Sequence, residues 1–174
     1  MPVAELGHVG VWVDDLDLMR TFYTAMMGLT VTDEDLDKGM VFLSARPETE
    51  HHEFVLARGR RAADDVKLIQ QVSFRVDSVE SLLEFHRRFK TADVKVQQEV
   101  THGNAYGIYF WDPEGNRIEV YYRVPIDVRQ PFRKELNLDQ SADDVLAEAD
   151  RLLAEDGPAY TGAVGGGPAA EAGR

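Results

Sequence analysis

The chain has 174 residues, 44% of them hydrophobic, and a formal net charge of −12 at pH 7. That length gives one domain, or two small half-domains sharing a core. The acidic charge excludes a nucleic-acid surface, which needs a basic patch, and the absence of cysteine excludes disulfides, Cys-zinc sites and thiol nucleophiles. The apolar runs fall short of a membrane span, and the N-terminus lacks the basic and apolar regions of a secretory signal. A cytoplasmic protein is the expectation.

Leu6–Val13 reads as a strand, with Val9, Val11 and Val13 on one face and His8, Gly10 and Trp12 on the other. Asp14 and Asp15 supply an N-cap and first-turn acids for a helix over Leu16–Met27. Leu18, Met19, Phe22 and Met26 are its expected inward face, and Gly28 its stop. Leu29–Thr32 reads as a short strand, Asp33–Gly39 as an acidic loop and Met40–Ala45 as a strand. Arg46–Glu50 is a turn, His51–Ala57 a strand and Arg58–Asp65 a linker.

The pattern then repeats. His8–Asp14 aligns with Gln71–Asp77 at an offset of 63, which also sets Phe22 over Phe85 in a second helix, Ser78–Lys90. At an offset of 66, Met40–Ser44, Pro47 and Glu53 fall over Gly107–Trp111, Pro113 and Glu119. The three extra residues are placed in a longer loop at Val100–Tyr106. Gly107–Tyr121 reads as a hairpin about an Asp-Pro-Glu-Gly-Asn turn. Pro125–Gln140 is an irregular extension. Ser141 caps an amphipathic helix through Leu153, whose stripe of Val145, Leu146, Ala149, Leu152 and Leu153 would dock on the domain or on a partner subunit.

The expected fold class is therefore α+β. Two tandem βαβββ modules (1–58 and 66–124) form a cupped mixed sheet with helices outside. A C-terminal extension and helix (125–156) follow, and then a Gly/Ala/Pro-rich tail (157–174) expected to be disordered. Val72, Phe74 and Val76 would pack on the helices. The opposite face, with Gln71, Ser73 and Arg75 and with His8 and Trp12, is too polar for a plain core and suits a ligand cavity.

Glu119 is a carboxylate inside an apolar strand, costly unless a metal ion or a basic group pairs with it. If a twofold axis relates the halves, His8, Glu53, Gln71 and Glu119 converge. Imidazole plus carboxylates suits a divalent metal such as Fe, Mn, Zn, Co or Ni. In His51-His52-Glu53 alternation lets only one of His52 and Glu53 face the cup, and the pattern does not choose between them. Tyr109 shares parity with Trp111 beside Glu119 and His102 lies in the preceding loop. Arg75 could pair with Glu119 or an anionic substrate, and His86, flanked by Arg87 and Arg88, is expected to face solvent.

Over Glu5–Arg123 these features resemble the vicinal oxygen chelate superfamily. That group includes glyoxalase I, methylmalonyl-CoA epimerase, fosfomycin and bleomycin resistance proteins and extradiol dioxygenases. Three motifs are similar to the extradiol ring-cleaving branch. His51-His52-Glu53-Phe54-Val55-Leu56 resembles its His-His-Asp strand, which implies that His52 is a catalytic acid/base. The Tyr109-to-Glu119 spacing resembles its conserved Tyr and carboxylate ligand, and His102 with Asn104 its substrate-binding His loop. The departure is Gln71, where the extradiol pattern has a metal-binding His; Gln is a ligand in some glyoxalase I enzymes.

The resemblance implies a catechol-cleaving dioxygenase with His8, Gln71 and Glu119 on Fe(II), or on Mn, Zn, Ni or Co. Its expected partners are a small aromatic substrate, O2 and a second copy of the chain. Two rival expectations stand beside it. One is a glyoxalase- or epimerase-like metal lyase or isomerase using Glu53. The other is a non-catalytic binding protein with a degenerate metal site.

Overall fold

Alternation of buried Val11 and Val13 with exposed Trp12 builds β1 (Val9–Val13) as a strand covered on one face. The computed structural model describes residues 7–60, 69–126, 128 and 132–155. The linker expected at 58–65 lies in large part outside the described residues, and the tail expected at 157–174 wholly so.

The chain divides into two compact units, Met1–Gln70 with Asp112–Asn116, and Gln71–Trp111 with Arg117–Arg174. In the first, β1 is followed by α1 (Leu16–Ala25), β2 (Thr30–Asp35), β3 (Met40–Ser44) and β4 (Phe54–Arg58). The sheet order is β1-β4-β3-β2, with β1 parallel to β4 and the other pairs antiparallel. Asp15 caps α1 by accepting from Leu18 N at 2.9 Å. The buried face of α1 is Leu16, Met19, Phe22 and Tyr23. Leu18, expected inward, is 47% exposed, because it stands about 100° around the helix from Met19. The acidic loop also differs from expectation: residues 33–35 continue β2, paired with 40–42 of β3.

The second unit contains β5 (Val72–Val76), α2 (Val79–Thr91), β6 (Val96–Thr101), β7 (Ala105–Trp111) and β8 (Arg117–Arg123). A two-residue β9 (Lys134–Glu135) and α3 (Ala142–Glu155) complete it. The order is β5-β8-β7-β6-β9, with β5 parallel to β8. This is the same βαβββ plan with one added edge strand. The longer loop expected at 100–106 shrinks to His102–Asn104, because β6 runs to Thr101 and β7 begins at Ala105. Ile108, Phe110, Ile118 and Val120 form the buried face of the β7–β8 hairpin, and Phe89 of α2 stacks on Phe110 with ring centroids 4.4 Å apart. Ser141 caps α3 by accepting from Asp144 N at 3.2 Å. Val145, Ala149 and Leu153 of α3 are buried, Leu153 in a cluster with Val128 and Phe132. The helix therefore covers Val145, Ala149 and Leu153 within its own unit, whereas Leu146, expected in the same stripe, is 38% exposed.

The turn Asp112–Asn116 is held from within. Buried Asp112 accepts from Glu114 N, Asn116 N and Asn116 Nδ2 at 3.1, 2.8 and 2.8 Å, and from the Tyr23 hydroxyl at 3.0 Å. Gly115 has φ +75°, which a side chain would resist. An Asp at the first turn position and a Gly at the fourth are the residue types such a turn demands.

His86 corrects its sequence expectation. It is largely buried on α2, with Nδ1 2.6 Å from Glu99 Oε1 of β6 and Nε2 3.8 Å from Asp139. Its partners are distant in sequence, so its Arg neighbours misled.

Candidate active site

In the first unit β4 begins only at Phe54, so residues 51–53 lie outside the strand and escape its alternation. His52 stands beside His8, with ring centroids 4.5 Å apart, and edge-on to Phe42 at 5.2 Å. His51 Nδ1 lies 2.9 Å from His52 Nδ1, so one ring donates and the other accepts. His8 is exposed and has no hydrogen-bond partner among the described residues, which leaves its ring nitrogens available. Desolvation, and then repulsion from His8 and His51, lowers the His52 pKa below the ordinary imidazole value.

Glu53 is turned to other partners. Oε1 accepts from Arg46 Nη2 at 2.8 Å, and Oε2 from Ala45 N at 2.9 Å and Ser44 Oγ at 3.1 Å. Burial alone would raise its pKa, but these donors outweigh burial and hold it below the usual carboxylate value. So where the sequence left His52 and Glu53 undecided, the structure sets His52 with His8 and Glu53 with Arg46.

In the second unit, strand pairing aligns Ser73 of β5, Glu119 of β8 and Tyr109 of β7 across one face. Glu119 is 7% exposed. Its Oε2 accepts from Ser73 Oγ at 2.6 Å and from Gln71 Nε2 at 3.3 Å. Gly107 leaves room for Oε1: a Cβ there would lie 2.8 Å from it. Arg75, a candidate partner by sequence, has no hydrogen bond to Glu119; it lines an open depression with Tyr122 and Arg123.

Tyr109 lies 3.1 Å from His102 Nε2, and His102 Nδ1 lies 2.9 Å from the Phe132 carbonyl. A carbonyl only accepts, so Nδ1 carries the hydrogen. The neutral ring then presents Nε2 as acceptor to the Tyr109 hydroxyl; this tautomer is assigned from the network. Burial, and then the neighbouring Glu119 carboxylate, pushes the Tyr109 pKa far up, against the opposing effect of Arg117 and Arg133. The Arg117 guanidinium sits 4.2 Å from the Tyr109 ring centroid. The sequence reading did not single out Ser73 or Arg117 as partners of Glu119 and Gln71. Their strand parity with Glu119 was the available signal.

A divalent metal is the cofactor this fold implies. Taken singly, His8 and Glu119 are each of a donor type that suits one, and each leaves lone pairs available. Gln71 does not fit as its amide stands, because its oxygen is turned to Arg117 Nη1 and its NH2 to Glu119. Among the described residues no group of three His, Asp or Glu side chains is disposed to hold a metal ion.

A family model described as "Glyoxalase/Bleomycin resistance protein/Dioxygenase superfamily" matches residues 5–120. The chain is 26% identical over 135 residues to a 1,2-dihydroxynaphthalene dioxygenase of Sphingobium xenophagum, covering 75% of this chain and 43% of that protein. It is 29% identical over 138 residues to a manganese-dependent 2,3-dihydroxybiphenyl 1,2-dioxygenase of Geobacillus genomosp. 3, covering 76% and 40%. The chain thus spans about two fifths of the length of these relatives. Among solved structures, a lactoylglutathione lyase from Agrobacterium tumefaciens superposes with a TM-score of 0.56 at 22% identity, covering 70% of this chain and 96% of that one. A fosfomycin resistance protein from Listeria monocytogenes gives 0.55 at 19%, covering 68% and 91%. These two likenesses show the fold. Among the described residues no helix is long and apolar enough to cross a membrane.

Proposed function

This chain belongs to the glyoxalase/bleomycin resistance protein/dioxygenase superfamily, and on that premise we propose that it is an extradiol-type ring-cleaving dioxygenase acting on a catechol-like aromatic with O2. The observation that carries this reading is His52. Its imidazole lies against His8, while Glu53 is committed to Arg46, Ser44 and Ala45 N. The first module therefore offers an imidazole for proton transfer where a glyoxalase- or epimerase-like reaction would need the carboxylate. The relatives named as dihydroxynaphthalene and dihydroxybiphenyl dioxygenases support the same branch.

In this reading His8 and Glu119 would hold the metal, iron(II) first or manganese(II), whereas redox-inert zinc, nickel or cobalt would belong to the lyase or isomerase rival. The bound ion supplies Lewis-acid polarisation of the two substrate oxygens and redox access to O2. His52 is kept neutral by its lowered pKa and takes a proton from a catechol hydroxyl at a free ring nitrogen. Tyr109 keeps its phenolic proton, and on substrate binding the hydroxyl turns that proton from His102 Nε2 to oxygen on which charge develops. His102 orients that hydroxyl through Nε2.

The test is direct. The protein is reconstituted without air with Fe(II), and in parallel with Mn(II). It is then given oxygen and a panel of substituted catechols, dihydroxynaphthalene and dihydroxybiphenyl. The reading expects a yellow ring-fission product from at least one of them; no cleavage of any catechol with either metal refutes it.

A further inference from the structure

We infer that Arg117 locks the Gln71 amide as a hydrogen-bond donor to Glu119, so that Gln71 serves the carboxylate and not the metal. The inference rests on the dioxygenase reading only for the metal's presence; the lock is a property of the second unit alone.

The orientation of the amide follows from its neighbours. Arg117 Nη1 is 2.5 Å from Gln71 Oε1, and a guanidinium can only donate. Gln71 Nε2 faces Ser73 Oγ at 3.0 Å and Glu119 Oε2 at 3.3 Å, and a carboxylate can only accept. Turning the amide over would set NH2 against the guanidinium and C=O against the carboxylate. Donor would meet donor and acceptor would meet acceptor. The hydroxyl of Ser73 fits the same orientation, since it accepts from Gln71 and donates to Glu119.

Arg117 is itself held. Its Nε donates to Gln97 Oε1 at 2.8 Å and its plane lies over the Tyr109 ring. Its acceptors Gln97 Oε1 and Gln71 Oε1 are both amide oxygens. The guanidinium therefore sets its charge directly beside the amide oxygen, with no carboxylate in ion-pair contact among the described residues. For Gln71 to bind a cation through Oε1, the amide would have to leave Arg117, Ser73 and Glu119 together, and the cation would then meet a fixed positive charge. Arg117 is thus a positioning residue, acting on the metal site through Gln71.

Two measurements test this, one without metal. In metal-free protein, the Gln71 side-chain NH2 protons are assigned by their loss in Gln71→Ala. They should show nuclear Overhauser contacts to Ser73 and slow exchange with water. Arg117→Met should abolish both, and Arg117→Lys, which keeps one donor for Oε1, should restore them in part. In the second measurement Mn(II) is titrated into each variant with free Mn(II) read by electron paramagnetic resonance. The expected Kd of Gln71→Ala is within about twofold of wild type, that of Arg117→Met about tenfold tighter, and that of Gln71→His tighter again. A tenfold or greater loss in Gln71→Ala, or amide signals that Arg117→Met leaves unchanged, overturns the inference. If neither wild type nor Gln71→His binds Mn(II), the dioxygenase reading fails, and the amide signals alone decide the lock.

Discussion

Gly107→Ala probes the grip on Glu119. The new methyl would lie 2.8 Å from Glu119 Oε1, where ordinary contacts run to 3.4–4 Å. A free carboxylate would swing aside at little cost. This one cannot, because Oε2 is held by Ser73 at 2.6 Å and Gln71 at 3.3 Å. Retreat of Oε1 by about half an ångström loosens hydrogen bonds to a buried charge, which are worth about 1.5–3 kcal/mol each when lost. A net destabilisation of about 1–2 kcal/mol is expected. In a Glu119→Ala background the clash is gone, and replacing a strand glycine by alanine then stabilises by about 0.5–1 kcal/mol. The sign of the effect therefore reverses. Urea unfolding of the four proteins in a double-mutant cycle should give a coupling of about 1.5–3 kcal/mol between the two positions. Equal effects of Gly107→Ala in both backgrounds would refute the picture of a gripped carboxylate.

Other outcomes follow from the same geometry. Tyr23→Phe removes a buried donor from Asp112, and thermal or urea unfolding should show a loss of about 1.5–3 kcal/mol; a change below about 0.5 kcal/mol would count against the anchoring of the turn. In a spectrophotometric titration Tyr106, pushed up to about 12 by burial and then by Asp150 and Tyr122, should ionise well after free tyrosine. Tyr109 should resist still further. Because their folded pKa values lie above the unfolded value near 10, both contribute stability that is present below pH 10 and lost as pH rises through the folded values. Tyrosinate absorbance complete by pH 11 in folded protein would contradict this. His52 has the opposite sign of shift. In metal-free protein its NMR midpoint should fall below 6.5, and stability should fall as pH drops through that window. His8→Ala should move the midpoint back up, and an unmoved midpoint would remove His8 as a cause.

Much of the fold was legible in the sequence because it is written twice. The offset between His8–Asp14 and Gln71–Asp77 gave the βαβββ plan, and Asp-Pro-Glu-Gly-Asn gave the turn of the β7–β8 hairpin. What was not legible depended on contacts between residues far apart in sequence or on breaks in regularity. Alternation could not place His52 and Glu53, since residues 51–53 precede β4 and are not strand. His86 looked solvated from its Arg neighbours and is covered by Glu99 and Asp139. Glu119 was recognised as a carboxylate in need of a partner, but its partners Ser73 and Gln71 come from β5 and the residue before it, more than forty positions away. Arg117 stands two residues from Glu119 in β8 and so shares its face, yet nothing in the sequence says that its charge is aimed at an amide.

The most direct measurement compares two variants of the neighbouring pair His52 and Glu53. Oxygen uptake is followed in metal-loaded protein with a cleaved catechol, for wild type, His52→Ala and Glu53→Gln. The account predicts that His52→Ala loses ring cleavage, by about a hundredfold or more, with its metal retained, while Glu53→Gln stays within a few-fold of wild type. Loss of cleavage in Glu53→Gln with activity kept in His52→Ala would contradict it.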